Sequence, residues 1–194
     1  IRQKEFLEAL HQTTLDLLAR HDLDDLLQAV VERATAILDA PFGEVALKEG
    51  DALIIRAFTG NHPYAVGARL GRAEAPISWQ VVDTLRPVVV DDYSARPGSP
   101  AVYAGQSLRA VAEFPILLSD RCLGVLSLSR TEPGRVFSPE EIEHGEMLAQ
   151  HAALVLHNTG IYAEAVREAE VRTVALRESE ERFRRIFEDS PITI

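Results

Sequence analysis

The sequence contains little cysteine, little positive charge and no long apolar run. A single cysteine, Cys122, excludes an intrachain disulfide and a multi-cysteine metal site, as expected in a reducing compartment. The 30 acidic residues outnumber the 20 lysines and arginines, and the net charge of −10 disfavours nucleic acid and anionic lipid as partners. No window approaches the roughly 18 apolar residues of a membrane span. We therefore expect a cytoplasmic chain without nucleic-acid or direct membrane contact, although a longer parent protein would be free to have a membrane attachment.

Apolar residues make up 46% of the chain, enough for a packed core, and their periodicity predicts two helices near its start. Residues 1–20 have one apolar stripe, and Asp22 is a suitable N-cap for the helix that follows. In this second helix, apolar residues recur from position 23 to position 38 at the spacing of an amphipathic helix that packs one face on a core. Pro41 and Gly43 are expected to end it.

Strand signals occupy most of the middle of the chain. Strands are predicted at 44–47, 53–58, 87–91, 109–118 and 122–129. A short helix is predicted at 77–84, and residues 92–107 form a polar loop with one helical turn. Pro115 cannot donate a hydrogen bond to a neighbouring strand, so we expect a bulge or a sheet edge there. Asp91 and Asp92 would point to opposite faces of a strand, so they are predicted to close it and cap the loop rather than act as a catalytic pair.

A long helix is predicted to follow a clear start signal. Ser138 is the N-cap, Pro139 fits the first helical position, and Glu141 completes a capping box. Gly145 and Gly160 weaken the prediction that one unbroken helix follows, because glycine is a poor helix former.

A seven-residue repeat in this helix is typical of a coiled coil and predicts a homodimer through the terminal helices. The predicted seam consists of Leu148, Val155, Tyr162, Val166, Ala169 and Leu176. For residues 142–156, packing on the same domain is the favoured alternative. For residues 163–182 the coiled coil is favoured, because no remaining sheet would cover so much helix.

Three stretches, in this order, resemble the GAF domain. They are the apolar strand with its central proline at 114–118, the strand at 124–128, and the closing helix with 137–141 at its start and 148–154 within it. The resemblance covers about residues 22–162. It implies an α+β fold of the GAF-like (profilin-like) type. Such a fold has an antiparallel sheet of about six strands with helices packed on it, and here long N- and C-terminal helices.

A second resemblance lies near the end of the chain, where residues 178–191 are similar to the entry helix and first turn of a PAS domain. The domain assignment is then an N-terminal dimerisation or linker helix at 1–21, a GAF sensory domain at 22–160, a signalling coiled-coil helix at 161–182 and the start of a truncated PAS domain at 183–194. GAF followed by PAS is typical of sensor histidine kinases and cyclic-di-GMP enzymes. The resemblance therefore implies a sensory module of a multidomain signal-transduction protein.

Few groups are arranged for catalysis. His144 and His151 share a helix face, but their spacing alone is a weak signal, so no metal site is predicted. One cysteine is too few for the methionine-sulfoxide reductase activity found in the family, and residues 92–107 lack the cysteine that would hold a bilin covalently. The glycines of 60–71 lack a phosphate-binding spacing. We predict that this chain is not itself an enzyme; the cofactor stays unknown.

What remains is a non-covalent pocket where the family places its ligands, between the sheet and the segment that holds the short helix and the long loop. Its predicted lining is Phe58, Trp79, Tyr93, Tyr103, Arg109, Phe114 and Ser127. Trp79 either walls this pocket or fills the core, and the core is favoured. Two functions stay open: a regulatory module that binds a small ligand or relays a signal, and a structural dimerisation spacer without a ligand.

Overall fold

A six-stranded antiparallel sheet forms the centre of this computed structural model, which describes residues 23–96 and 100–159. The strands are β1 (Phe42–Glu49), β2 (Ala52–Thr59), β3 (Arg69–Leu70), β4 (Val88–Val90), β5 (Ala110–Leu118) and β6 (Arg121–Arg130). Their order across the sheet is β3-β2-β1-β6-β5-β4. The first and last strands in sequence, β1 and β6, therefore pair at its centre. The predicted α+β fold with about six antiparallel strands is confirmed.

Helices and short 3₁₀ segments connect these strands. They are α1 (Leu23–Ile37), α2 (Pro76–Thr84), the 3₁₀ segments Tyr93–Ala95 and Ala101–Gln106, and α3, described over residues 139–159. No helix among the described residues is long and apolar enough to cross a membrane. The chain divides into residues 1–156 and 157–194, and only 157–159 of the second unit are described. The predicted N-terminal helix, most of the coiled coil and the PAS start lie outside the described residues.

The two faces of the sheet carry different partners. One face packs against α1 and α3, and β5 contributes Ala112, Phe114 and Ile116 to this larger core. The other face carries α2 and the 3₁₀ segments, and β5 turns Val111 and Glu113 towards them. This division follows from the alternation of side chains along a strand. The amphipathic pattern predicted for α1 is confirmed, since Leu26, Leu27, Val30, Val31 and Ala34 are buried.

The structure corrects part of the predicted dimer seam. Leu148 and Val155 lie buried in the core that α3 forms with α1 and the sheet. Side chains covered by their own domain cannot also pack against a second chain, so these two residues do not belong to a seam. The favoured alternative for this stretch, packing on the same domain, is the arrangement observed. The other four seam residues lie outside the described residues.

A close approach between α3 and β5 explains the glycine that weakened the helix prediction. A Cβ atom built at Gly145 would lie 2.2 Å from the Phe114 ring, a distance that real Cβ atoms do not adopt. The glycine allows the helix backbone to rest directly on the ring, which is fully buried. The loss in helix propensity, about 1 kcal/mol, is thus offset by packing.

Pro115 sits where the sheet can accept it. It lies opposite Val125 of β6, whereas β4 pairs only with residues 111–113 of β5. The side of β5 facing β4 is therefore unpaired at the proline among the described residues. A register shift follows between Ile116 and Leu117, so the expected edge and bulge occur together here.

Arg130 at the end of β6 is the most deeply buried charged side chain of the described residues, with 2% of its surface exposed. Its guanidinium donates hydrogen bonds to the carbonyl oxygens of Leu38 and Asp39, at the end of α1, and of Val136. It also donates to both carboxylate oxygens of Glu141, at 2.5 and 3.3 Å. These bonds occupy the five N–H donors of an arginine. Because carbonyls at a helix C-terminus lack partners within the helix, Arg130 also caps α1.

The start of α3 belongs to the same cluster. Glu141 accepts from the Ser138 backbone N–H at 2.7 Å, and its own N–H donates to the Ser138 hydroxyl at 3.2 Å, so the predicted capping box is confirmed. The Arg130 guanidinium stacks 4.1 Å from the centre of the Phe137 ring. One glutamate thus joins the cap of α3 to the buried charge at the end of α1.

We predict that Glu141→Ala lowers the free energy of unfolding by about 3–5 kcal/mol, because it leaves a buried guanidinium without its counter-charge. Ser138→Ala breaks only the capping box and should cost about 1 kcal/mol. Urea denaturation at pH 7 measures both. Equal losses in the two variants would show that the Arg130 pair contributes nothing beyond the cap.

The same pair has a pH signature. Burial raises the pKa of Glu141, but the hydrogen bonds from Arg130 and Ser138 outweigh it and hold the pKa below its ordinary value. The stabilisation by this carboxylate is therefore present above about pH 4.5, the ordinary pKa of glutamate, and is lost as the pH falls through the lower folded-state pKa.

Candidate functional site

A cavity of about 60 Å³ lies between the sheet face opposite α1 and the layer formed by α2 and the 3₁₀ segments. The start of β1 and the middle of β5 and β6 form its floor. The first turn of α2 and the loop around His62 form its sides, and the 3₁₀ segments contribute Tyr93 and Tyr103. About 10–15 Å³ holds one water molecule on this measure, so the cavity has room for a few waters or a small ligand.

A row of polar side chains crosses the floor of this cavity. Glu44 on β1 is paired with Ser127 on β6, which is in turn paired with Glu113 on β5. Directly opposite residues on neighbouring strands have Cβ atoms about 4.5–5.5 Å apart. Three residues far apart in sequence therefore present two carboxyl groups and a hydroxyl side by side.

Glu113 is the unusual member of this row. Its residue surface is 6% exposed, and its Oε2 atom is buried without a hydrogen-bond partner among the described residues. Burial, and to a lesser extent the charge of Glu44, raises the pKa of Glu113 to about 8, although hydrogen bonding to Ser78 and Ser127 opposes the rise. The side chain is therefore mainly protonated at neutral pH.

His62 pairs with the carboxylate at the other end of the row. Its Nε2 atom lies 2.5 Å from Oε2 of Glu44, and its Nδ1 atom lies 3.0 Å from the carbonyl oxygen of Tyr64. Burial alone would lower the pKa of His62, but the hydrogen bond to Glu44 and the charge of that carboxylate raise it above its ordinary value. The contact with Glu44 therefore favours the protonated form of the imidazole.

Two tyrosine rings, Tyr93 and Tyr103, line the cavity, and further aromatic rings contact Tyr103 or His62. Phe58 stacks on His62 with ring centroids 4.8 Å apart, and Tyr103 stands edge-on to Tyr64 at 6.1 Å and to Tyr93 at 6.4 Å. Burial, followed by the charges of nearby carboxylates, raises the pKa of Tyr103, so its phenol stays protonated.

Three of the seven predicted pocket residues line the cavity, namely Tyr93, Tyr103 and Ser127. Phe58 does not line the cavity, but its ring stacks on that of His62, which does. Arg109 does not line the cavity; its guanidinium donates to the Ser94 hydroxyl at 2.9 Å. Asp92 caps the same 3₁₀ turn by accepting from the N–H groups of residues 94 and 95, which is the role predicted for it.

Phe114 and Trp79 correct the predicted lining. Phe114 faces the α1 and α3 side of the sheet, because its neighbour Glu113 faces the cavity and side chains alternate along a strand. Trp79 is buried in a separate cluster, where its indole N–H donates to the Leu70 carbonyl at 3.4 Å and Arg72 covers its ring at 4.5 Å. The favoured core interpretation of Trp79 is the observed one, and the neighbouring Ser78 takes the place at the cavity.

The sequence analysis missed the charged lining: Glu44, His62, Glu74 and Glu113. One signal for Glu113 was available, since it is a charge in the middle of an otherwise apolar strand. An acidic residue in that position is seldom tolerated without a reason. Its alignment with Glu44 depends on strand register, which the sequence alone does not define.

Cys122 and the potential metal ligands are the other reactive groups that the sequence analysis considered. The Cys122 thiol donates to the Gly124 carbonyl at 3.2 Å, and burial raises its pKa, so Arg121 does not activate it. Among residues 23–96 and 100–159, no group of three or more potential ligands is placed to hold a metal ion.

These features belong to a family of sensory domains. The family profile of the GAF domain matches residues 20–157, and the chain belongs to this family. The circadian input-output histidine kinase CikA of Thermosynechococcus vestitus is 27% identical over 192 residues, an alignment that covers 88% of this chain and 26% of that kinase. The chain thus spans about a quarter of that relative's length.

Solved structures agree on the fold. The GAF domain of a phosphoenolpyruvate-protein phosphotransferase from Coxiella burnetii superposes with a TM-score of 0.71 at 22% identity, over 82% of this chain and 96% of that domain. A bacteriophytochrome from R. palustris gives a TM-score of 0.70 at 17% identity, over 91% of this chain and 41% of that chain.

We predict that Glu113→Gln stabilises the domain at high pH and has little effect at low pH. A carboxyl group whose folded-state pKa is raised to about 8 contributes stability below its ordinary pKa of 4.5 and loses it as the pH rises through the folded value. Each pKa unit corresponds to about 1.4 kcal/mol, so the advantage of the glutamine should reach a few kcal/mol at pH 9.

Thermal denaturation of both proteins between pH 4.5 and pH 9 measures the difference. Glu146→Gln, on the exposed surface of α3, is the matched control and should follow the wild type at every pH. Parallel curves for wild type and Glu113→Gln would contradict a buried, neutral Glu113.

Proposed function

We propose that this chain is the regulatory input module of a larger signal-transduction protein such as a sensor histidine kinase or a cyclic-di-GMP enzyme. In this proposal a small molecule binds in the cavity, and the change is passed through α3 to the domain that follows. The chain itself turns over no substrate. The observation that carries the proposal is the row of polar side chains on the floor of the cavity. In this row, a buried carboxyl oxygen of Glu113 has no hydrogen-bond partner among the described residues. Membership of a sensory family and the likeness to a histidine kinase support it.

A short route from the cavity to α3 supports the relay. Glu113 faces the cavity, and the next residue, Phe114, touches the backbone of α3 at Gly145. A ligand that shifts β5 by a few tenths of an ångström has to move this ring or the helix, because no side chain lies between them. Tightly packed contacts of this kind change between discrete arrangements.

The proposed connection from this domain to an output domain depends on the seven-residue repeat in the sequence. Tyr162, Val166, Ala169 and Leu176 continue the seven-residue repeat, and we propose that they form a parallel dimer seam leading into a PAS domain. A shift in the packing of such a seam is the route by which the signal reaches a distant output domain in this proposal.

To test ligand binding, we would screen small polar metabolites against the fragment by thermal shift. A ligand present at about 100 times its Kd stabilises by about 2.7 kcal/mol, which is roughly 5–10 °C for a domain of this size. Ser127→Leu, which fills the floor of the cavity, should abolish the shift, and Glu146→Gln should retain it. If no compound distinguishes wild type from Ser127→Leu, the domain is a structural spacer without a ligand.

To test the dimer, light scattering should give twice the chain mass of 21.4 kDa at micromolar concentration. Leu176→Glu should shift the protein towards monomer without unfolding it, because it places a charge in the proposed seam. Leu148→Glu should unfold the domain instead, since Leu148 lies in the core. A strict monomer at high concentration would overturn this part of the proposal.

A further inference from the structure

We infer that the cavity takes a small organic cation of the protonated-amine class, held by the carboxylate of Glu113 and the rings of Tyr93 and Tyr103. This inference rests on the proposed function, since it names the chemical class of the ligand for the same cavity. It depends on three observations: the unpartnered oxygen of Glu113, the balance of charges in the lining, and the aromatic wall.

The first observation is that Glu113 lacks a partner where a ligand would be. Glu113 is only 6% exposed, it lines the cavity, and its Oε2 atom is unsatisfied among the described residues. A buried polar atom without a partner is unfavourable, and a ligand that supplies an N–H donor removes this cost. An ionised carboxyl group only accepts hydrogen bonds, so the complementary ligand group is a donor.

The second observation is that the lining contains three carboxyl groups and no lysine or arginine among the described residues. Its carboxyl groups belong to Glu44, Glu74 and Glu113, and its only basic group among the described residues is His62. His62 Nε2 lies 2.5 Å from a carboxylate oxygen of Glu44, so this imidazole already has an acidic partner. No lysine or arginine of residues 23–96 and 100–159 lines the cavity. An anionic ligand would therefore meet carboxyl groups and no lysine or arginine of the lining, since the Arg96 charge acts on Glu113 from outside the lining.

The third observation is the set of rings on the opposite side. Tyr93 and Tyr103 line the cavity with their rings at 88° to each other, centroids 6.4 Å apart. Aromatic rings attract cations through the negative potential of their faces, and the attraction grows when the cation is removed from water. A carboxylate on one side and tyrosine rings on the other are suited to an ammonium group with a short apolar stem.

The size of the cavity limits the ligand. About 60 Å³ accommodates roughly four non-hydrogen atoms, if each needs the 10–15 Å³ of one water-sized probe. Ligands this small bind no more tightly than tens of micromolar even at the best efficiency per atom. n-Propylammonium, with four such atoms, is the probe we choose.

Binding of an amine should release a proton. Free Glu113 is mainly protonated at neutral pH, because burial raises its pKa to about 8. When propylammonium binds, the carboxyl O–H bond breaks, the proton passes to the buffer, and the carboxylate pairs with the ammonium. The titratable or charged groups that face Glu113 from other elements are Glu44, His62, Glu74, Tyr93, Arg96 and Tyr103. The pKa of His62 is raised as well, so the Glu113→Gln variant is needed to assign the released proton to Glu113.

The experiment is a ¹H–¹⁵N NMR titration of the whole chain with propylammonium chloride at pH 6, 7, 8 and 9, with 1-propanol and sodium propanoate as neutral and anionic counterparts. We expect propylammonium alone to shift the amide signals of Ser78, Glu113 and Ser127. Its Kd should fall up to about tenfold per pH unit between pH 6 and pH 8 and level off above, as the carboxyl group ionises. Glu113→Gln should weaken binding at pH 8 at least tenfold and remove this dependence, whereas Glu146→Gln should bind as the wild type does.

Calorimetry on the wild type gives a second measurement that needs no variant. Titrations at pH 7 in phosphate and in Tris should differ in heat by the ionisation of close to one proton per bound amine. Equal heats in the two buffers would overturn the inference, as would stronger shifts with 1-propanol or propanoate than with propylammonium. If 1-propanol or propanoate gives the stronger shifts, the cavity still binds a ligand, and the proposed function stands although the amine inference fails. If none of the three probes shifts cavity signals at about 50 mM, the inference fails, and the metabolite screen on Ser127→Leu decides the proposed function separately.

Discussion

The buried guanidinium of Arg130 is the constraint on which the rest of this domain depends. A charge with 2% exposure is tolerated only where every donor is satisfied, and here the satisfying groups come from three separate segments of the chain. The carbonyls at the end of α1, the loop before α3 and the first turn of α3 have to converge on one side chain. Both helices that cover one face of the sheet are thereby fixed relative to β6. That leaves the other face, with its short α2 and 3₁₀ segments, as the side where a cavity is retained.

Local sequence patterns predicted most of the helices and strands, but they did not predict which strands pair or which side chains become buried between distant segments. The apolar spacing of α1, the two long hairpins, the position of α2 and the capping box at Ser138 all depend on residues close together in sequence, so each was readable. The pairing of β1 with β6 joins segments about eighty residues apart, and nothing local reports it. No local signal marks Arg130, because its burial exists only after α1 and α3 have docked.

The residues of the candidate site were harder to predict, because they come together only through strand register and tertiary contacts. Tyr93, Tyr103 and Ser127 line the cavity and lie in the segments that the family's ligand position indicated. Phe114 was predicted on the cavity face of β5, but that face carries its neighbour Glu113, because side chains alternate along a strand. Glu44 and His62 come from a strand and a loop that the pocket argument did not consider, and their hydrogen bond appears only in three dimensions. An aromatic residue is an ambiguous signal for a pocket, since it serves a core equally well, as Trp79 does.

The contact between Phe114 and Gly145 has a consequence for how this sequence is free to vary. The ring occupies the space that a Cβ atom would need, so the two positions share one fixed volume. Alanine at position 145 is compatible with a smaller residue at position 114, and phenylalanine at 114 is compatible only with glycine at 145. Among relatives that retain this helix-to-strand distance, the sizes of the two residues should change in opposite directions, and a substitution at one position alone should be rare.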